Sequence, residues 1–194
     1  AQSGAQALLG GGHFQDGQSL AQQLYQQRPP LKAVFILVAP TVPEFANIGD
    51  AALGIMGPSQ WESIAPYSPD QAGKLGIEWY GPTIEEFVNA YKAEYGGEPG
   101  YHAAGGYAAG LVLQHAIEKA GTLNPDEVKK VLDNMHILTF WGEIRFSDRA
   151  EDHGLQVAHE MILIQWQKIG GSLERVVVWP GKFAKSQPLY PIWG

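Results

Sequence analysis

Three short apolar segments within the first 60 residues are each followed by a loop that carries polar or aromatic side chains. The segments span residues 7–9, 31–38 and 53–56, and the second is apolar except for Lys32. Continuous apolar runs are typical of parallel strands whose two faces are covered by helices. Ligands of open α/β sheets bind outside the carboxyl ends of such strands. The sequence therefore predicts an α/β fold with a binding cleft at one edge of a parallel sheet.

Five side chains in these loops are candidate ligand contacts. They are His13 and Phe14 after the first segment, Thr41 after the second, and Gln60 and Trp61 after the third. A histidine ring can hydrogen-bond a ligand, and aromatic rings commonly line pockets. Three structural alternatives stay open, namely a solvated loop position for His13, a covering role for Trp61 and a helix cap at Thr41. For Asp16 we expect a helix cap rather than a ligand contact.

Capping residues and helical spacing predict a series of helices. The predicted spans are 17–27 with Asp16 as its cap, 41–49, 84–95, 102–120 and 124–134. Thr83 and Glu86 have the spacing of a capping box at the start of the third span. Gly105, Gly106 and Gly110 weaken the fourth span, so we expect them to mark a close contact with another backbone.

The last part of the chain is predicted to be rich in β-structure. We expect strands over 142–146 and 157–166, a turn over 168–172 and a hairpin strand over 173–179. The tail from Pro180 to Gly194 is expected to lie over the surface. Residues 62–82, rich in Pro, Gly, Ser and Tyr, show no clear period and are expected to form a connecting segment.

Composition excludes several classes of protein. The net charge is −7 and the 13 basic residues are scattered, which argues against a nucleic-acid partner or an anionic membrane surface. Because the chain has no cysteine, it has no disulfide, thiolate zinc site or cysteine nucleophile. No apolar run approaches the ~18 residues of a membrane span. Residues 1–5 lack the regions of a signal peptide, so we expect a mature or cut chain.

Catalytic and cofactor motifs are incomplete. Residues 10–15 lack the last glycine of a dinucleotide fingerprint, and no lysine occupies the P-loop position. Residues 57–61 end in tryptophan where a nucleophile elbow needs glycine, and His159-Glu160 lacks the second histidine of a zinc protease helix. We therefore expect no enzyme, no cofactor and no metal. An enzyme that uses His13 with Asp16 at the sheet edge remains an alternative.

Several patterns, in order, carry a resemblance to a known family. They are residues 10–17, 35–40, 57–61, 87–91, 101–107, 142–146 and 178–180. In this order they resemble the C-terminal half of a type I periplasmic solute-binding protein of the branched-chain amino acid ABC transporter receptors. Relatives that take up aromatic acids belong to the same group. The resemblance implies a periplasmic or extracellular location, an ABC permease in the membrane as partner, and no cofactor.

The resemblance also implies a two-lobed organisation. Residues 1–62 would be the first part of a parallel-sheet, ligand-binding lobe, and 63–152 would be a connecting segment and the helical part of the other lobe. Residues 153–194 would be a crossing strand, the return hairpin of the first lobe and the tail. Tyr101 and His102 would begin a helix of the other lobe and face the cleft, although core packing is an equal alternative.

The family's N-terminal half has no counterpart in the chain, and this carries a consequence for the helices over 83–135. Their apolar side chains would be buried on strands of that half. These side chains are Phe87, Val88, Leu111, Leu113, Val128 and Leu132. We therefore expect a fragment whose exposed helical face is covered by a second copy or is poorly ordered.

The loop residues favour one class of ligand. An amino acid needs a carboxylate near its ammonium group, and Asp16, the one nearby acid, is assigned to capping. We therefore expect a small aromatic or other apolar carboxylic acid. Branched-chain amino acids remain an alternative, as does a ligand-sensing domain of a regulator.

Overall fold

The structure is a computed structural model that describes residues 3–193, and its contacts divide the chain into two units. Unit 1 comprises Ala1–Glu62 with Met161–Gly194, and unit 2 comprises Ser63–Glu160. Residues 1 and 2 of the expected cut terminus, and Gly194 of the tail, lie outside the described residues. The chain therefore leaves unit 1 once and returns to it once.

Unit 1 is built on a five-stranded sheet with the order β1-β2-β3-β7-β8. The strands are β1 (Ala7–Gly10), β2 (Ala33–Ile36), β3 (Met56–Ser59), β7 (Ile162–Ile169) and β8 (Ser172–Trp179). The first three are parallel, whereas β7 is antiparallel to β3 and β8 is antiparallel to β7. Helix α1 (Phe14–Gln27) connects β1 to β2. The predicted α/β fold with a parallel sheet is confirmed.

The core of unit 1 lies between this sheet and the elements packed on it. Val34 and Ile36 of β2 and Ala21 of α1 are fully or almost fully buried. Phe45, in the 3₁₀ segment Pro43–Ala52, packs its ring 6.2 Å from that of Trp166 on β7. These contacts fix the connections that follow β1 and β2 against the sheet.

Unit 2 contains a small mixed sheet and most of the helices. Its sheet has the order β4-β5-β6, with strands β4 (Glu78–Trp79), β5 (His136–Thr139) and β6 (Gly142–Arg145). Its helices are α2 (Pro69–Leu75), α3 (Ile84–Tyr95), α4 (Tyr101–Ala120) and α5 (Pro125–Asp133). Thr83 and Glu86 form the predicted capping box, and Asn124 caps α5 through the amides of Asp126 and Glu127. None of the helices within residues 3–193 has both the length and the apolar composition to cross a bilayer.

Several strand predictions are wrong in their bounds. The third strand is Met56–Ser59 rather than 53–56, because the pairing of Met56 with Gln165 and of Ser59 with Ile162 extends it through Pro58. β7 begins at Ile162 rather than at 157 and continues to Ile169, so the turn is shorter than predicted. The segment 62–82 is not merely a connection, since it contains α2 and β4.

The expected backbone contact at the glycines of α4 is wrong, and the expected open helical face is found only in part. Among the described residues, a Cβ built on Gly106 or Gly110 would meet nothing within 4 Å beyond the helix itself, and on Gly105 it would meet the Trp141 ring rather than backbone. Phe87, for which burial on a missing strand was expected, instead stacks on Phe140 at 4.3 Å and is buried.

Leu111 and Val128 are also buried, and only part of the helical face stays open. Leu113 is 52% exposed. In unit 1, Leu9 is 82% exposed and lines an apolar groove of about 310 Å³ on the sheet. Exposed apolar surface is therefore present on unit 1 as well as on the helices.

Candidate ligand-binding site

The start of α1 positions the first pair of candidate side chains. His13 is the residue before the helix, and its backbone N–H donates to Oδ2 of Asp16 at 2.9 Å. Asp16 therefore has the expected capping role, although it is the third residue of the helix rather than the residue before it. This bond fixes the loop after β1 and leaves His13 exposed and Phe14 half-buried.

The turn after β2 has a strained backbone. Val38 has φ 65° and ψ −65°, and the Ala39 N–H donates to the Leu37 carbonyl at 2.8 Å, which closes a γ-turn. A positive φ is unfavourable for a β-branched residue, at a cost of about 1–3 kcal/mol. Neighbouring groups must hold this conformation, and this makes the turn a candidate functional element.

Thr41 stabilises this turn from within. Its backbone N–H and its hydroxyl both donate to the Val38 carbonyl, at 3.1 and 2.6 Å. Thr41 is 2% exposed, and its hydroxyl proton is already in use. The hydroxyl is therefore engaged within the turn.

Close contacts at two glycines pack the turn after β2 against its neighbours. A Cβ on Gly17, in the first part of α1, would lie 2.4 Å from the Cβ of Ala39. A Cβ on Gly57 in β3 would lie 3.0 Å from the Cβ of Pro40. A side chain at 17 would clash and one at 57 would be tightly crowded, so the turn after β2 packs against both the helix after β1 and the strand β3.

The segment after β3 contributes Gln60, Trp61 and Glu62. Ser59, the last residue of β3, donates its hydroxyl to the Trp61 carbonyl at 2.9 Å. Gln60 is exposed, whereas Trp61 is 2% exposed. The predicted pair therefore follows the strand end, with one side chain in solvent and the other buried.

An ion pair links this segment to β8. Nη2 of Arg175 donates to Oε2 of Glu62 at 3.1 Å, and Nη1 of the same guanidinium donates to the Thr41 carbonyl. Glu62 is 8% exposed. Burial raises the pKa of its carboxyl, against the opposing effects of the charge and hydrogen bond of Arg175 and of the nearby Ser59 side chain.

Arg175 and Glu62 were not among the site residues predicted from the sequence. An available signal was the charge of Arg175 directly before the apolar run 176–178 of a strand. A charged residue beside buried strand positions usually has a partner.

Tyr101 and His102 belong to unit 2, where they begin α4. Their rings lie 4.0 Å apart at 31°, with Tyr101 half-buried and His102 exposed. The structure thus brings the loops carrying His13, Thr41 and Trp61 together within unit 1. The other two candidates form a separate pair.

Unit 1 thus offers hydrogen-bonding and aromatic groups at the carboxyl ends of three parallel strands. Among the described residues, no three metal-ligating side chains form a group that could hold an ion.

Comparison with known proteins agrees with this fold. The sequence model of a family described as periplasmic binding protein matches residues 1–171 of the 194. The chain therefore belongs to the periplasmic binding protein family, and the predicted resemblance is confirmed.

Solved structures of similar fold include a leucine-binding protein from Thermotoga maritima. It is 22% identical with a TM-score of 0.67, and the match covers 91% of this chain and 45% of that one. A leucine-, isoleucine-, valine-, threonine- and alanine-binding protein from Brucella ovis in a closed conformation is 16% identical with a TM-score of 0.67, covering 94% and 45%.

A third similar structure is a solute-binding protein of an ABC transporter from R. palustris in complex with benzoate. It is 15% identical with a TM-score of 0.61, and the match covers 89% of this chain and 42% of that one. The chain thus spans less than half the length of these solved structures. At such identities, the likeness shows the fold.

Proposed function

We propose that this chain is part of a solute-binding receptor of an ABC uptake transporter, which binds a small aromatic or apolar carboxylic acid and delivers it to a membrane permease. The observation that carries the proposal is the meeting of three loops at the carboxyl ends of β1, β2 and β3 in a protein of the periplasmic binding family. Binding and release require no chemistry, so the proposed receptor is not an enzyme. Its proposed location is periplasmic or extracellular.

The proposed ligand contacts are those predicted from the sequence. They are His13, Phe14, Thr41, Gln60 and Trp61 in unit 1, with Tyr101 and His102 in unit 2. The exposed His13 and Gln60 supply hydrogen bonds to a polar group, and Phe14 supplies an aromatic surface. Trp61 and Thr41 shape the rim from beneath, since both are buried.

Charge pairing supports a carboxylic acid over an amino acid. Asp16 accepts a hydrogen bond from the His13 backbone, and Glu62 is paired with Arg175. Each of these two acids thus already has a partner, which an ammonium group would have to displace. Because the Asp16 carboxylate already accepts this hydrogen bond, an enzyme that uses His13 with Asp16 is disfavoured.

A branched-chain amino acid is the second candidate ligand. The observation in its favour is the fold shared with the two proteins from T. maritima and B. ovis, which bind leucine and related amino acids. The benzoate complex of the protein from R. palustris shows that the same fold accommodates an aromatic acid.

A thermal-shift screen of the full-length protein tests the proposal. Benzoate and substituted benzoates form one arm, L-leucine and L-valine the second, and glucose is the control. A ligand that binds only the folded state raises the melting temperature in a concentration-dependent manner. We expect stabilisation by benzoate-like acids; stabilisation by leucine alone would replace the ligand class, and no response to any acid or amino acid would contradict the function.

A further inference from the structure

We propose that Arg175 is a positioning residue of the ligand-binding rim, which holds the strained turn after β2 and the segment after β3 in one fixed arrangement. This inference rests on the proposed function, because the rim is the proposed ligand site. Arg175 lies on β8, far along the chain from both segments. Its role is to act through Thr41 and Glu62 rather than to touch the ligand.

One guanidinium joins both segments. Nη1 donates to the carbonyl of Thr41, and Nη2 donates to Oε2 of Glu62 at 3.1 Å. The side chains of Arg175 and Glu62 are only 20% and 10% exposed. A planar guanidinium presents its donors in a rigid fork, so the two acceptors are held at a set separation, which a lysine ammonium cannot reproduce.

The turn needs such a restraint because of Val38. A positive φ at a β-branched residue persists only where surrounding contacts determine it. Thr41 holds the Val38 carbonyl through two hydrogen bonds, and Arg175 in turn holds the carbonyl of Thr41. Trp166 adds a second restraint by donating its Nε1 to the Pro40 carbonyl at 2.8 Å. Arg175 is thus the outermost member of a chain of bonds that ends at the strained residue.

Glu62 explains why the restraining group is charged. Its carboxylate is buried, and Oε1 has no hydrogen-bond partner among the described side chains and backbone. A buried carboxylate is costly without a cation, and a buried guanidinium is costly without an anion. Each therefore keeps the other in place, and the pair fixes where the chain leaves β3.

Hydrogen exchange tests the positioning role without any ligand. The measured amides are Thr41, Val42 and Phe45, whose N–H groups donate to carbonyls of the turn or of the segment after it. In Arg175→Met we expect exchange at Thr41 and Val42 to accelerate about tenfold to hundredfold, as follows from the loss of a hydrogen bond from a charged donor. The Leu37 amide, which donates to Gly10 in the β1–β2 ladder, should keep its rate.

Two further variants separate positioning from general stabilisation. Arg175→Lys keeps the positive charge beside Glu62. Compared with Arg175→Met, it should recover more of the melting temperature than of the protection of the Thr41 amide against exchange. Lys168→Gln, on the neighbouring strand β7, removes an exposed ion pair with Asp50 and should change neither. Unchanged exchange at Thr41 and Val42 in both Arg175 variants would overturn the inference. If Arg175→Met folds poorly, the exchange rates of Arg175→Lys decide.

Calorimetric titration with benzoate and with L-leucine connects the restraint to binding. If the unaltered protein binds either probe, we expect Arg175→Lys to bind it more weakly by about threefold to tenfold, the effect of a misplaced hydrogen bond. Equal affinity in both proteins would overturn the inference. If the unaltered protein binds neither probe, the proposed ligand classes fail, while the exchange rates still decide whether Arg175 positions the turn.

Discussion

Gly17 in α1 and Ala39 in the turn after β2 touch so closely that a Cβ on Gly17 would lie 2.4 Å from the Cβ of Ala39. It would also lie 3.0 Å from Cγ2 of Ile36. Real Cβ atoms do not approach each other this closely, so a larger residue at 17 must push the helix and the turn apart. This contact therefore sets how near the loop with His13 lies to the loop with Thr41.

Gly17→Ala should destabilise unit 1 and weaken ligand binding together. Overpacking of a tight contact costs about 1–3 kcal/mol in the free energy of unfolding. Urea denaturation followed by tryptophan fluorescence measures this cost, and calorimetry measures the affinity. Unchanged stability would show that the helix and turn are not packed as described.

Gly110→Ala is the matched control, and its effect on the free energy of unfolding is expected to have the opposite sign. Gly110 lies inside α4, where a Cβ would meet nothing within 4 Å among the described residues beyond the helix itself. Alanine in an exposed helix interior stabilises by about 0.5–1 kcal/mol relative to glycine. A loss of stability in this variant would indicate that the face of α4 around Gly110 is covered in solution.

The capping box of α3 gives a test of unit 2. The Thr83 hydroxyl accepts from the Glu86 N–H at 3.2 Å, and the Glu86 carboxylate accepts from the Thr83 N–H at 2.8 Å. Thr83→Ala should lower the free energy of unfolding by about 1 kcal/mol, whereas Thr83→Ser should retain most of it. Circular dichroism during denaturation measures the difference, and equal losses in the two variants would argue against a capping role for the hydroxyl.

Glu62 should make stability depend on pH in a defined direction. Because burial raises its pKa above the ordinary value of 4.5, the folded state binds the proton more tightly than the unfolded chain does. This contribution is fully present below pH 4.5 and is lost as the pH rises through the raised pKa. Glutamine does not titrate, so the unaltered protein should lose stability relative to Glu62→Gln over that interval. Denaturation midpoints from pH 4 to pH 8 measure it, and a constant difference would refute the raised pKa.

His13 should matter for binding and not for folding. Its side chain is exposed, and serine is a favourable residue at the position before a helix. His13→Ser should therefore keep the melting temperature and reduce the affinity by about threefold to tenfold, the effect of one neutral hydrogen bond. His136→Ser, at another exposed histidine, is the control and should bind normally. Equal affinities for the two variants would remove His13 from the proposed site.

Much of the fold could be predicted from local signals in the sequence. The capping box at Thr83 predicted the start of α3, and the predicted span 124–134 agrees with α5 to within one residue at each end, because capping and helical spacing act over one or two helical turns. The parallel arrangement of the first strands also followed from their apolar runs. Strand bounds did not follow, since β3 is defined by its pairing with β7, more than 100 residues later in the chain.

The same limit applies to the candidate site. The loops that follow β1, β2 and β3 could be recognised from the sequence, because each comes directly after an apolar segment. The link from Arg175 to Glu62 could not, as the two residues are 113 positions apart. The strained turn at Val38 is also invisible in a run of apolar residues, because the bonds that hold it, such as the one from the Thr41 hydroxyl, form only in the folded chain.

The most direct test of ligand binding at the rim is titration of the isotope-labelled full-length protein with benzoate, followed by amide chemical shifts. We expect saturable shifts at His13, Phe14, Thr41 and Gln60, on the loops at the ends of the three parallel strands. Saturable shifts confined to other parts of the chain, or none with either benzoate or L-leucine, would contradict ligand binding at the rim.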